Sequence, residues 1–213
     1  MDDIDLALIL ALDGSASVDF DEFNLLANGC AAGLRDPDVI AGLVGGVNGA
    51  SIVAVLLWSG ANAHAVLVDW TRVTTPPEVA SLAEAVENVP RLVRPGETAI
   101  GEALLACEAL FAVLPAQPAR RVIDIAGDGA SNAGVLPGPI RDRLADAGIT
   151  INGLCVLHEE PDLLASYTND VIGGPDAFAL QCRDYAGFAV AMRQKLRREI
   201  AAAALAKSRL GMI

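Results

Sequence analysis

Five oxygen-bearing residues in this chain have the types and spacing of a metal site. Asp13, Ser15 and Ser17 form the pattern Asp-Gly-Ser-Ala-Ser directly after the apolar run Ile4 to Leu12. Asp128 opens Asp-Gly-Ala-Ser-Asn directly after a second apolar run, Arg121 to Ala126. Thr98 lies in Gly-Glu-Thr-Ala-Ile-Gly-Glu-Ala-Leu, at the expected start of a helix. Taken singly, each is ordinary: Asp-Gly favours turns, and Ser or Thr caps helices. Ser17 is the exception, because Asp19 is the better cap for the helix that follows. Together the five offer two carboxylates and three hydroxyls, with no His or Cys. Hard divalent cations take such ligands, and a tight octahedron of oxygens suits Mg²⁺ or Mn²⁺ better than Ca²⁺. Hydroxyl ligands leave the cation short of negative charge, so it can accept a carboxylate from another molecule.

The elements that must position these residues follow from periodicity. Ile4 to Leu12 is continuously apolar, as in a strand buried on both faces. Asp19 to Leu34 has helical spacing, with Asp19 and Glu22 forming a capping box. Ser51 to Trp58 and Ala65 to Trp70 are strands joined by the short turn Ser59 to Asn62, so they must be antiparallel. Helices are expected over Pro76 to Val89, Thr98 to Leu114 and Pro139 to Ala147. Strands are expected over Arg121 to Ala126, Thr150 to Leu157 and Ala177 to Gln181. A short helix over Pro161 to Tyr167 and a long one over Asp184 to Lys207 complete the series. Strands alternating with helices predict an α/β, Rossmann-like, doubly wound sheet. It has six strands, mainly parallel with one antiparallel edge strand, and helices on both faces. In such sheets ligands sit beyond the carboxyl ends of the strands where the strand order reverses. Placing the first and fourth strands side by side there brings Asp13 and Asp128 together. Residues 1–213 are expected to form one domain.

Other polar residues have simpler roles than this set. Asp124 lies within an apolar strand and needs a partner, a neighbouring loop or Asn152, with a catalytic acid as the alternative. Ser131 and Asn132 could line the rim beside Asp128, and Glu97 is either near the ion or exposed. His64 and His158 have no second His or Cys at ligand spacing and are expected at the surface. Trp58 and Trp70 flank the hairpin and are expected to pack the sheet edge. The cations Arg193, Lys195, Arg197 and Arg198 are expected on a solvated face of the last helix, with a docking surface as the alternative. Cys30, Cys107, Cys155 and Cys182 contain no CxxC pair. Buried thiols are the simpler reading, and Cys155 with Cys182 is the best pair if a disulfide forms.

The chain is acidic, with 15 Lys+Arg against 27 Asp+Glu and a formal charge of −12, which argues against nucleic-acid binding. Its 53% apolar content excludes a disordered chain. No apolar run approaches the roughly 18 to 20 residues of a membrane helix. The chain opens Met-Asp-Asp-Ile-Asp and enters an apolar run at once. That start fits a cytoplasmic protein or a chain whose export signal has been removed.

Asp13-Gly-Ser15-Ala-Ser17, then Thr98, then Asp128-Gly resembles the metal-ion-dependent adhesion site (MIDAS) of von Willebrand factor type A (VWA) domains. The resemblance spans nearly the whole chain. Thr98-Ala-Ile-Gly-Glu-Ala-Leu, Arg121-Val-Ile-Asp-Ile-Ala-Gly-Asp128-Gly, Ile149-Thr-Ile-Asn-Gly-Leu and Val171-Ile-Gly-Gly-Pro-Asp-Ala-Phe are further similar to a bacterial family of unknown function, DUF1194. The resemblance implies that Ser15, Ser17 and Thr98 offer hydroxyl oxygens to a bound Mg²⁺. It implies that Asp13 and Asp128 act directly or through water. It also implies a protein partner presenting an Asp or Glu carboxylate and a periplasmic or secreted location; a monomer is expected. It implies no reaction. The enzymatic alternative, metal-assisted phosphoester hydrolysis, lacks a nearby His or Lys, a GxxxxGK[ST] loop and a GxSxG elbow. A third alternative is a metal that only staples the loops.

Overall fold

A computed structural model describes residues 2–158 and 160–210. Six strands form one sheet in the order β3-β2-β1-β4-β5-β6. They are β1 (Asp2–Asp13), β2 (Ser51–Trp58), β3 (His64–Val73), β4 (Ala116–Gly127), β5 (Ile149–Val156) and β6 (Ala179–Cys182). All neighbouring strands are parallel except β2 and β3, the expected antiparallel edge pair. The helices are α1 (Phe20–Leu34), α2 (Pro37–Val44), α3 (Pro76–Glu87), α4 (Ile100–Ala112), α5 (Pro137–Asp146), α6 (Leu163–Ser166) and α7 (Phe188–Leu210). A π-helical turn, Tyr167–Val171, extends α6, and a 3₁₀ turn, Tyr185–Gly187, leads into α7.

The central strand explains the two-layered core. Every residue of β1 from Ile4 to Asp13 is buried. Leu6, Leu8, Leu10 and Leu12 pack on one face with Phe23, Leu26, Val79, Phe188 and Met192, from α1, α3 and α7. Ile9 and Ala11 point the other way, to Ile100, Leu104, Leu144 and Leu163 from α4, α5 and α6. This is the period-two alternation of a strand covered on both sides.

Several elements differ from the sequence expectation. Helix α2 was not foreseen, although Asp36 caps it by accepting from Asp38 N at 3.0 Å and Pro37 occupies its first turn. Strand β4 begins five residues before Arg121, at Ala116, and contains Pro118. That early stretch pairs with β1 alone, since pairing to β5 starts at Arg121, so a residue without an amide hydrogen is tolerated there. Helix α4 begins at Ile100, which leaves Thr98 in the preceding loop. Trp58 is fully buried in the core rather than at the edge, while Trp70 stacks on Phe111 at 5.6 Å between centroids.

The last helix is not simply a solvated basic face. Lys195 is fully buried and ion-paired with Asp124 of β4. Asn152 of β5 donates to Glu199, one turn further along α7. Asp124 therefore finds its partner on α7 and not in a loop or at Asn152. Arg197 clamps the Asp36 carboxylate of α2 through two bonds of 2.8 Å. All four cysteines are free. Cys182 lies opposite Val156 in the register, and Cys155 packs in the core layer on the other side of the sheet. The two thiols thus point to opposite faces, which rules out the Cys155–Cys182 pairing.

Candidate metal centre

The strand order reverses between the parallel neighbours β1 and β4: β1 leads to β2 on one side and pairs with β4 on the other. The register sets Leu12 of β1 against Ala126 of β4, so the loops after Asp13 and after Gly127 leave the sheet side by side. Asp13 ends β1, and its Oδ1 accepts from Ser15 N at 2.7 Å, which folds the chain back over the strand end. Ser15 Oγ and Ser17 Oγ lie 3.1 Å apart, and Ser17 Oγ donates to Asp128 Oδ1 at 2.7 Å. Four of the five expected residues thus form one connected set across two loops.

Thr98 joins them from a third loop. Asn132 holds it by a reciprocal pair, Thr98 N to Asn132 Oδ1 at 2.8 Å and Asn132 N to Thr98 O at 2.9 Å. A Cβ on Gly129 would stand 3.3 Å from Thr98 Oγ1, so the threonine hydroxyl lies against the turn that follows Asp128. Thr98, Asp128, Ser17 and Asn132 line one open cleft of about 440 Å³, with Glu97 and Glu160 on its rim. Ser131 bonds the Thr98 carbonyl more weakly, at 3.4 Å. His64 and His158 are both exposed, and His158 Nδ1 lies 3.7 Å from Glu22.

The electrostatics of the set are unbalanced. Asp13 is fully buried, and Asp128 and Ser15 are each 1% exposed. Asp13 Oδ2 and Asp128 Oδ2 have no hydrogen-bond partner. Burial, and then the neighbouring Asp128 charge, push the Asp13 carboxyl up to about 7. Among the described residues lining the cleft there is no Lys, Arg or His. Two buried carboxylates with unfilled lone pairs and no protein cation fit a bound cation, whose charge removes the cost of placing them together. Asp13 and Asp128 with the three hydroxyls offer hard oxygens of the kind that a divalent cation takes.

Sequence reasoning missed four supporting residues. Arg91 donates to the carbonyls of Gly14 and Ser15, both at 3.0 Å, and lies over the Phe20 ring, bracing the first loop from below. Glu160 accepts from Ala130 N at 3.0 Å and steadies the Asp128 turn. The Tyr167 hydroxyl is buried without a partner, and the buried Tyr185 phenol faces the Asp128 carboxylate. A Cβ on Gly127 would come within 2.9 Å of Tyr167 Oη and 2.7 Å of Asp13 Oδ2, so the tyrosine packs under the site. Burial and nearby carboxylates hold both phenols protonated. No local pattern marks these four; only the fold brings them to the loops.

Comparison with known proteins agrees with this geometry at the level of the fold. No curated protein matches the chain. Among solved structures, proximal thread matrix protein 1 from the mussel byssus superposes with a TM-score of 0.66 at 16% identity, over 92% of this chain and 46% of that one. That protein has also been solved with a zinc-occupied MIDAS motif. A von Willebrand factor type A protein from Catenulispora acidiphila superposes with a TM-score of 0.58 at 18% identity, over 94% of this chain and 43% of that one. The vWF domain of the type V pili tip protein Mfa5 from Porphyromonas gingivalis gives 0.60 at 10% identity, over 94% and 96%. This chain therefore spans less than half of the first two and nearly all of the third. The fold is that of von Willebrand factor type A domains, and the chain belongs to the family described as "Protein of unknown function (DUF1194)", which it matches over residues 3–204.

Proposed function

We propose that this chain is a metal-dependent adhesion module. One divalent cation, Mg²⁺ or Mn²⁺, is held by Ser15, Ser17 and Thr98 with Asp13 and Asp128. The bound cation supplies a Lewis-acidic position that takes an Asp or Glu carboxylate of a protein partner. The observation that carries this reading is the pair of buried aspartates, joined through Ser17 and each left with an unpartnered oxygen. The open cleft above them favours a site with a free coordination position over a metal that only staples the loops. A pilus-tip domain among the structural neighbours fits such a role and a periplasmic or secreted setting.

The residues divide the work by position. Asp13 fixes the first loop through Ser15 N, and Asp128 fixes Ser17, so the hydroxyls are presented before any cation arrives. Asn132 holds the Thr98 backbone in place.

The test combines binding and turnover. The metal-loaded protein should bind acetate or an acidic peptide, lose that binding on chelation, and hydrolyse no generic phosphate ester. Metal-dependent turnover abolished by Asp128→Ala would replace the adhesion reading with a hydrolase.

A further inference from the structure

The cleft around the two aspartates carries a charge pattern of its own. Glu97 stands at its rim, exposed, on the loop before Thr98. Glu160, also exposed, stands across the cleft, where its Oε2 accepts from Ala130 N and its Oε1 would lie 3.7 Å from a Cβ on Gly129. No described residue lining the cleft is cationic. Arg91, on the segment leading to Glu97, is committed elsewhere, to the Gly14 and Ser15 carbonyls and to the Phe20 ring. The whole chain adds a formal charge of −12. Beneath these glutamates lie the unpartnered Oδ2 atoms of Asp13 and Asp128, both buried, and Asp128 is part of the cleft wall.

A cation at the aspartates attracts a carboxylate strongly over a few ångströms. The rim and the protein's overall field repel the same carboxylate at longer range, over a Debye length of about 8 Å at physiological salt. Both demands are met by one kind of partner. We propose that the cleft selects a protein segment in which an acidic residue is flanked by Lys or Arg, the acid meeting the cation and the basic neighbours meeting Glu97 and Glu160. This rests on the adhesion reading and adds the partner's chemistry to it. Rim charges of this kind set association and specificity more than total affinity.

The test uses the Mn²⁺-saturated protein and two short blocked peptides, each with a single glutamate, flanked in one by lysines and in the other by glycines. The lysine-flanked peptide is expected to bind about fivefold tighter at low salt, as two exposed ion pairs allow. The preference should vanish near about 1 M salt, where the Debye length is about 3 Å. It should also shrink in the Glu97→Gln variant, which removes one rim charge and leaves the Glu160–Ala130 bond intact, with the glycine-flanked peptide gaining affinity. Equal metal-dependent binding of both peptides overturns the inference and leaves the adhesion reading intact. A preference undiminished in the Glu97→Gln variant also overturns it and assigns the effect to net charge. Binding of neither peptide removes the adhesion reading and the inference with it.

Discussion

Ser17, on the loop after β1, donates its hydroxyl to Asp128 Oδ1, on the loop after β4, at 2.7 Å. The two residues are 111 positions apart in the chain. This bond ties together the two strand ends where the sheet order reverses. It also orients a hydroxyl that local helix capping does not need, because Asp19 caps α1 through its own bond to Glu22 N.

Ser17→Ala removes both the tie and one proposed ligand. Metal affinity measured by calorimetric titration should fall at least tenfold, which is about 1.4 kcal/mol. The metal-free protein should lose only about 1 kcal/mol in denaturant unfolding, the usual worth of one hydrogen bond.

Gly127→Ala tests the packing beneath the site. The new methyl would stand 2.7 Å from Asp13 Oδ2 and 2.9 Å from Tyr167 Oη, closer than real contacts allow. The strain is expected to cost about 1–3 kcal/mol of stability and to displace the Asp13 carboxylate, weakening metal binding. Unfolding and metal titration on one preparation check both effects.

Lys195→Met removes the cation that faces Asp124 in the core. Leaving that carboxylate buried and unpaired should cost about 3–5 kcal/mol. Adding Asp124→Asn should recover much of the loss, and a double-mutant cycle in urea measures the coupling.

Glu199 makes stability depend on pH. Burial, reinforced by Asp124 and opposed by Lys195, Asn152 and Arg120, raises its carboxyl from 4.5 to about 7. The folded state therefore binds a proton that the unfolded state releases more readily. The associated stability is complete below about 4.5 and is lost as pH rises through about 7. Compared with Glu199→Gln, the wild type should lose on the order of 1–3 kcal/mol more over that interval, read from urea midpoints at each pH.

Asp13, Ser15, Ser17 and Asp128 were legible in the sequence because each follows an apolar run that reads as a buried strand. Asp13 and Asp128 sit at strand ends, and the sheet order makes those ends neighbours. Thr98 was legible as a residue but not as a loop position, since its run reads as continuous helix. The outer part of β4 was hidden because Gln117, Pro118 and Arg120 break the apolar pattern on a stretch that pairs on one side only. Lys195 and Glu199 were hidden for a different reason. Among Arg193, Arg197 and Arg198, only the helical spacing that puts Lys195 beside the stripe Phe188, Met192, Leu196 and Ile200 marks it as the cation that turns inward to Asp124. Arg91 and Tyr167 likewise act through contacts between distant segments, which spacing along the chain does not encode.

The central claim is that five oxygen-bearing side chains hold one cation. Calorimetric titration of Mg²⁺, Mn²⁺ and Ca²⁺ into chelator-stripped protein, beside Asp13→Ala and Thr98→Ala, tests it most directly. The account predicts one ion bound per chain, Mg²⁺ or Mn²⁺ in preference to Ca²⁺, and loss of binding in both variants. A wild type that binds no ion, or variants that bind as well as the wild type, would contradict it.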